Sequence, residues 1–174
     1  MSTRIPLKKL LLSLAVFTTA VVVVFLFIGI AMFSIVGPNT VDESDRDYRA
    51  MGRFFRSPPM QLMESYVLDG SFSGDVDKVF SVRVSGMDTE LLWQQQGVVR
   101  GDRLTAELEQ AVNFVIGIRE NGSLDWFPTL EQIHRDSHYV YPIELVMQGD
   151  YPDAVRLIVM RPFDDMAFFI YKKI

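Results

Sequence analysis

The residues best suited to chemistry lie within eight positions of one another. Glu131, His134 and His138 fall in the stretch TLEQIHRDSH, which contains both histidines of the chain. If one helix continued through this stretch, spacings of three and four would bring a carboxylate and two imidazoles onto one face, a set that can hold a metal ion. The ligand count stops at three, and no second copy of the motif exists. A solvated helix end is therefore the better interpretation, and we expect no bound metal or cofactor.

Other catalytic arrangements receive even less support. The chain has no cysteine, which removes thiolate nucleophiles, disulfides and cysteine-based metal sites. It has no G-x-S-x-G motif, and the tripeptide at 134–136 that resembles a kinase catalytic loop stands without the other kinase motifs. We therefore do not expect an enzyme, and a metal-dependent enzyme using Glu131, His134 and His138 remains the third of three hypotheses.

The element that must position everything else is the apolar run of residues 10–36, which contains no charged side chain. As a helix it would be about 40 Å long, more than the roughly 30 Å of a bilayer's hydrocarbon core. The alternative is a cleaved secretory signal with Gly29 and Ala31 at the cut site, but signal cores are only about 7 to 15 residues long. We predict a single-pass transmembrane helix over 10–36 that is retained.

Charges on the two sides of this run predict its orientation. Residues 1–9 carry three cations and no acid, whereas four acids follow the run: Asp42, Glu43, Asp45 and Asp47. Basic flanks remain in the cytoplasm, so we predict a cytoplasmic tip at 1–9 and an extracytoplasmic domain, in the setting of a bacterial inner membrane with the domain in the periplasm. Without the three N-terminal cations, 14 Lys and Arg face 22 Asp and Glu, a formal charge of −8. A domain this acidic is not expected to bind nucleic acid.

Residues 37–59 are predicted to form a juxtamembrane segment with a short amphipathic helix. Tyr48, Met51 and two phenylalanines follow helical spacing on one side of DRDYRAMGRFFRS, with arginines on the other. Two interpretations are open: the aromatic stripe packs on the domain's own sheet, or the segment lies at the membrane interface. The second would use Arg49, Arg53, Phe54, Phe55 and Arg56.

Residues 60–174 are predicted to form an extracytoplasmic α+β domain with a mainly antiparallel sheet and one or two short helices. A strand over DKVFSVRVSG shows a period of two, and a shorter strand around 66–68 pairs with it as a hairpin.

The middle of the domain is harder to assign. Residues 104–111 are ambiguous between helix and extended chain, and 112–119 is predicted as a strand ending at the Asn121-Gly122 turn. A short helix capped by Thr129 follows. The tripeptide Arg100-Gly101-Asp102, which some adhesion receptors bind, is explained by a turn.

Three strands end the chain, YVYPIELVMQ, AVRLIVMR and MAFFIYKK, separated by turn sequences and therefore predicted as an antiparallel meander. Pro142 in the first of them indicates an edge or a bulge. The last strand is apolar on both faces, so it is either covered on both sides or exposed to a partner. Edge pairing with another protein would use Phe168, Phe169, Ile170 and Tyr171.

Three functions follow from these features. The first is a membrane-anchored protein whose outer domain binds another protein at the membrane. It would act as an accessory subunit, as an assembly factor, or as an immunity protein that inhibits an extracytoplasmic toxin or enzyme. The second is an extracytoplasmic sensor for a small ligand or lipid, with a pocket lined by Trp93, Trp126, Phe127 and Tyr139. The third is the metal-dependent enzyme. Because no nucleophile, base and oxyanion donor occur together, we favour the first.

Overall fold

The computed structural model describes residues 18–19, 21–24, 40–56, 58–70, 74–149 and 151–174. The chain divides into two compact units, Met1–Gly37 and Pro38–Ile174. In the first unit, residues 18–19 and 21–24 are helical, and most of the predicted span at 10–36 lies outside the described residues. No helix within the described part of the chain is both long and apolar enough to cross a membrane.

The second unit is built on one antiparallel sheet of six strands in the order β1-β2-β6-β5-β4-β3. The strands are β1 Met60–Gly70, β2 Asp75–Val84, β3 Val99–Arg100, β4 Tyr139–Gln148, β5 Tyr151–Arg161 and β6 Met166–Lys173. The predicted hairpin and the C-terminal meander are both present, so the domain is α+β with a mainly antiparallel sheet. The last strand of the meander, β6, also pairs with β2 and so joins the meander to the N-terminal hairpin.

Helices cover both faces of the sheet and create two cores. The α-helices are α1 Arg46–Phe54, α2 Thr89–Gln94, α3 Ala106–Gly122 and α4 Leu130–Ile133. On one face, buried residues of α3 pack with Val155, Leu157 and Phe168 of the central strands. On the other face, α1 contributes Tyr48 and Met51 to a core with Phe80 and Phe169, whose rings stack 4.8 Å apart. The central strands are therefore buried on both sides.

The aromatic stripe of α1 packs on the domain's own sheet. Met51 is fully buried, and the Tyr48 hydroxyl donates a hydrogen bond to the carbonyl of Met60 at 3.1 Å. Asp45 caps α1 by accepting from the Asp47 amide, and Lys78 of β2 forms ion pairs with both acids at 2.7 and 2.8 Å. This helix is consequently part of the folded domain, which begins before residue 60.

The predicted strand over 112–119 is wrong, because α3 runs through it for 17 residues. The alternation of Phe114, Ile116 and Ile118 suggested a strand, but the side chains buried in the core follow spacings of three and four: Leu108, Ala111, Val112, Val115 and Ile118. The Thr105 side chain caps the helix, and Asn121-Gly122 belongs to its last turn rather than to a hairpin. With α2 also present, the described part of 60–174 contains three α-helices, against the one or two short ones expected.

Two local predictions are confirmed. Thr129 caps α4 in a capping box, in which its side chain accepts from the Gln132 amide and the Gln132 side chain accepts from the Thr129 amide. Pro142 lies beside a β-bulge between Pro142 and Glu144, where β4 shifts its register against β5. Proline has no amide hydrogen for a sheet ladder, which explains why the strand is irregular at this point.

Candidate functional site

The structure does not bring the three metal-ligand candidates together. Helix α4 ends at Ile133, so His134 is its C-cap and His138 lies beyond the helix. His134 Nε2 lies 3.1 Å from a carboxylate oxygen of Glu109 on α3, whereas Glu131 is exposed and pairs with Arg135. Among the described residues, no group of three or more His, Asp and Glu is positioned to hold a metal ion. The single helical face that the candidate required does not exist.

His138 lies beyond the end of α4 in a buried environment. Its side chain is buried, its Nδ1 lies 3.2 Å from the Ser137 hydroxyl, and its Nε2 has no hydrogen-bond partner among the described residues. Burial lowers the pKa of His138 to about 4, and the positive charges of Arg161 and Arg135 act in the same direction. The imidazole is therefore neutral at physiological pH, packed against the ring of Phe163.

Of the residues proposed to line a ligand pocket, Trp126 and Phe127 lie on the opposite face of the sheet from Tyr139, and the side chain of Trp93 lies outside the described part of the structure. Trp126 and Phe127 pack in the core beneath α3, where the Phe127 ring meets Phe168 edge-on at 5.7 Å. Tyr139 belongs to the core on the α1 side. Because the sheet separates these side chains, they cannot surround one ligand.

Both faces of the last strand, β6, are covered by other parts of the domain. Of the two interpretations offered for this strand, the structure therefore agrees with the covered one and not with an apolar face exposed to a partner. Phe168, Phe169 and Ile170 are fully buried, and Tyr171 is half-buried beneath the guanidinium of Arg156, 4.4 Å from its ring centre. Strand β6 pairs with β2 on one side and with β5 on the other. It therefore has no free edge. The prediction that another protein pairs with an edge at Phe168, Phe169, Ile170 and Tyr171 is wrong, because β6 lies inside the sheet.

Among the described strands, the unpaired edges of the sheet belong to β1 and to the part of β4 that β3 does not cover. Strand β3 covers only Tyr139 and Val140 of β4, and the rest of that edge carries Pro142 and two bulges. Such features protect an edge from pairing with another strand. The opposite edge is regular: from Glu64 to Gly70, β1 pairs with β2 without a register shift, and no described strand lies on its outer side.

Exposed apolar side chains accompany this regular edge. Leu68 is 46% exposed and Met63, at the bulge where the regular part begins, is 39% exposed. Sequence reasoning missed both residues, because the order of strands depends on where β6 inserts. One local signal was available: MESYVLDG contains neither lysine nor proline, the residues that often protect edge strands.

The proposed membrane-interface residues separate into two groups. Arg49, Arg53 and Arg56 are exposed, whereas Phe54 and Phe55 are partly buried and pack against the core on the α1 side. Phe54 also meets the ring of Tyr141 at 4.6 Å. The aromatic rings thus contact the domain itself, and the arginines remain on the outer face.

An open depression of about 340 Å³ lies beside this helix. It is lined by Tyr48, Arg49, Gly52, Arg53, Pro58 and Met60. The lining therefore combines two cations with mainly apolar residues.

The Arg100-Gly101-Asp102 tripeptide has a structural explanation. The guanidinium of Arg100 pairs with the carboxylate of Asp102, and the Gly101 amide donates to the carbonyl of His138 at 2.8 Å. A Cβ on Gly101 would lie 1.9 Å from the Ile133 carbonyl oxygen. The glycine therefore allows close contact between two backbone segments.

Comparisons with protein-family models, with curated protein sequences and with solved structures found no match for this chain.

Proposed function

We propose that this chain is a single-pass membrane-anchored protein whose extracytoplasmic domain binds another protein at the membrane. The partner adds an extended segment to the free edge of β1, from Glu64 to Gly70. An accessory subunit, an assembly factor and an inhibitor of the immunity type would all act in this way.

The observation that carries the proposal is the asymmetry between the two edges of the sheet. The outer edge of β4 has Pro142 and two bulges, whereas β1 offers seven residues in unbroken register. Backbone amides and carbonyls on a free edge can form the hydrogen bonds of an added strand, and neighbouring side chains provide specificity. The exposed Leu68 and Met63 supply apolar contact area at that edge.

The membrane anchor is supported by the length and composition of 10–36, and the orientation by the three cations that precede it. One feature favours the opposite orientation: the arginines of α1 begin ten residues after the apolar run. A C-terminal fusion to a reporter that is active only outside the cytoplasm distinguishes the two. An active reporter at normal abundance supports an extracytoplasmic domain, and a silent one reverses the topology.

Partner binding is tested by affinity capture of the full chain in mild detergent, comparing wild type with two matched variants. Leu68→Lys puts a charge on the β1 edge, and Leu91→Lys puts the same charge on α2 at a leucine that is also 46% exposed. We expect a stoichiometric partner with wild type and Leu91→Lys, and its loss with Leu68→Lys. Retention of the partner by Leu68→Lys, or a clean monomer for wild type, contradicts the proposal.

A further inference from the structure

The outer face of α1 is a stripe of four arginines, Arg46, Arg49, Arg53 and Arg56, in a domain that is otherwise acidic. Spacings of three, four and three put them on one side of the helix and its C-terminal end, opposite the buried Tyr48 and Met51. All four are exposed, and none forms an ion pair with another described residue. We call this surface the arginine face.

Local helix stability does not explain the arginine face. Neighbouring arginines at i,i+3 and i,i+4 repel one another, and Arg46 lies at the helix N-terminus, where the dipole disfavours a cation. Two of the nearby acids, Asp45 and Asp47, already bind Lys78. Arg56 adopts a left-handed backbone conformation, with φ of 62°, in which glycine is less strained. A source of negative charge outside the domain would relieve this repulsion.

We propose that the arginine face docks the domain on an anionic phospholipid surface, with headgroup phosphates at Arg49 and Arg53 beside the open depression. This inference rests on the proposed membrane anchor. The choice of lipid over an acidic protein follows from position: α1 is the first element of the folded domain and begins ten residues beyond the apolar run. The net charge of the rest of the domain would repel an anionic membrane, so attraction to it requires a local cluster of cations such as the arginine face.

Docking in this way fixes the orientation of the domain. Because Lys78 and the buried Tyr48 and Met51 hold α1 against the sheet, the arginine face and the β1 edge move as parts of one body. Contact with lipid therefore limits the directions from which a partner segment can reach β1. Docking weakens as ionic strength rises or as anionic lipid is removed.

The test uses the full chain in nanodiscs made of phosphatidylcholine, with or without phosphatidylglycerol. Because the chain has no cysteine, a single introduced cysteine carries a fluorophore whose quenching by spin-labelled lipid reports proximity to the bilayer. Ala50→Cys lies on α1 beside the arginine face, and Gln110→Cys lies on α3, on the other side of the sheet. We expect strong, salt-sensitive quenching at position 50 only when phosphatidylglycerol is present, and little quenching at position 110.

The decisive variant is Arg49→Gln/Arg53→Gln, with Arg83→Gln/Arg103→Gln as a control that removes the same charge from exposed positions elsewhere. Each arginine contributes roughly fivefold to docking, so the ratio of docked to undocked domain should fall about 25-fold in the test variant. The control should retain quenching. Equal quenching in both lipid compositions, or an equal loss in the control, overturns the proposal.

Two further outcomes separate this inference from the proposed function. If position 50 is not quenched but the test variant loses a captured protein, the arginine face binds protein and the lipid proposal is wrong. If the chain does not insert into nanodiscs, the anchor is wrong, and flotation of the chain with phosphatidylglycerol vesicles then measures the arginine face directly. Absence of flotation overturns the proposal.

Discussion

The ammonium group of Lys78 lies 2.7 Å from the carboxylate of Asp45, a residue 33 positions earlier in the chain. Lys78 also binds Asp47, and the side chains of all three are largely shielded from water. Burial alone would raise the pKa of Asp45, but the hydrogen bonds from Lys78 and from the Asp47 amide outweigh it and lower that pKa. The ion pairs join the segment that follows the predicted span to the centre of the domain.

Removing the lysine should therefore loosen α1. We expect Lys78→Met to lower the free energy of unfolding by about 2 kcal/mol, because two partly buried carboxylates lose their partner. Chemical denaturation measures this, with the exposed Lys173→Met as a control that should change the free energy of unfolding by less than about 0.5 kcal/mol.

The same ion pair makes stability depend on pH. Because the pKa of Asp45 is lowered, the contribution of its carboxylate to the free energy of unfolding is present above the ordinary pKa of 3.8 and is lost as the pH falls below that value. A variant as stable as wild type at neutral pH would show that the ion pairs do not hold the helix.

His138 predicts a second pH dependence with its own window. The pKa falls from an ordinary value of 6.5 to about 4 in the folded domain, so the unfolded chain binds a proton first as the pH drops. The full contribution of the neutral imidazole to the free energy of unfolding is present above about pH 6.5. It decreases by roughly 3 kcal/mol as the pH falls from about 6.5 to about 4. Melting temperatures of wild type and His138→Gln should converge across this window. Parallel curves would mean that His138 titrates normally.

Glycine substitutions test the backbone contact at 101. Gly101→Ala would put a Cβ 1.9 Å from the Ile133 carbonyl oxygen and 2.6 Å from that of Arg135, so backbone must move. We expect a loss of about 3 kcal/mol or failure to fold. Gly117→Ala in the middle of α3 meets only the Lys172 ammonium at 3.9 Å and should stabilise by about 0.5 to 1 kcal/mol. If both variants have the melting temperature of wild type, the packing described here is incorrect.

A substitution at Arg56 should change the stability of the domain and its docking on lipid in opposite directions. Replacing it with glycine relieves its left-handed conformation and should raise the free energy of unfolding by about 1 kcal/mol, while weakening the salt-sensitive quenching at position 50. Ser123→Gly, at another residue with positive φ after α3, should stabilise by a similar amount and leave quenching unchanged. A loss of quenching in both variants would attribute the effect to stability instead of charge.

The local elements were largely predictable from sequence because their signals are short-range. Alternating apolar residues identified β2, turn sequences separated the last three strands, and Thr129 indicated the start of α4. The prediction for residues 112–119 was wrong because Phe114, Ile116 and Ile118 alternate as in a strand, whereas the buried side of the helix is defined by packing against the sheet.

The candidate site was less predictable because it depends on strand order. The aromatic residues of β6 suggested a sticky edge, yet insertion between β2 and β5 buries them. The same insertion leaves β1 outermost, and the absence of lysine and proline from MESYVLDG is compatible with that position but does not specify it. The arginines were visible in the sequence, but their separation from Phe54 and Phe55 required the fold.

Site-specific photo-crosslinking of the full chain in cells tests whether another protein binds at the β1 edge. A photoreactive residue is introduced on the β1 edge at Met63 or Leu68, and at two exposed positions away from that edge, Leu91 and Phe163. We predict one adduct of a single mass, different from that of a dimer, from the two β1 positions and none from the other two. No adduct from β1, an adduct of twice the chain's mass, or equal adducts from all four positions would contradict binding of another protein at this edge.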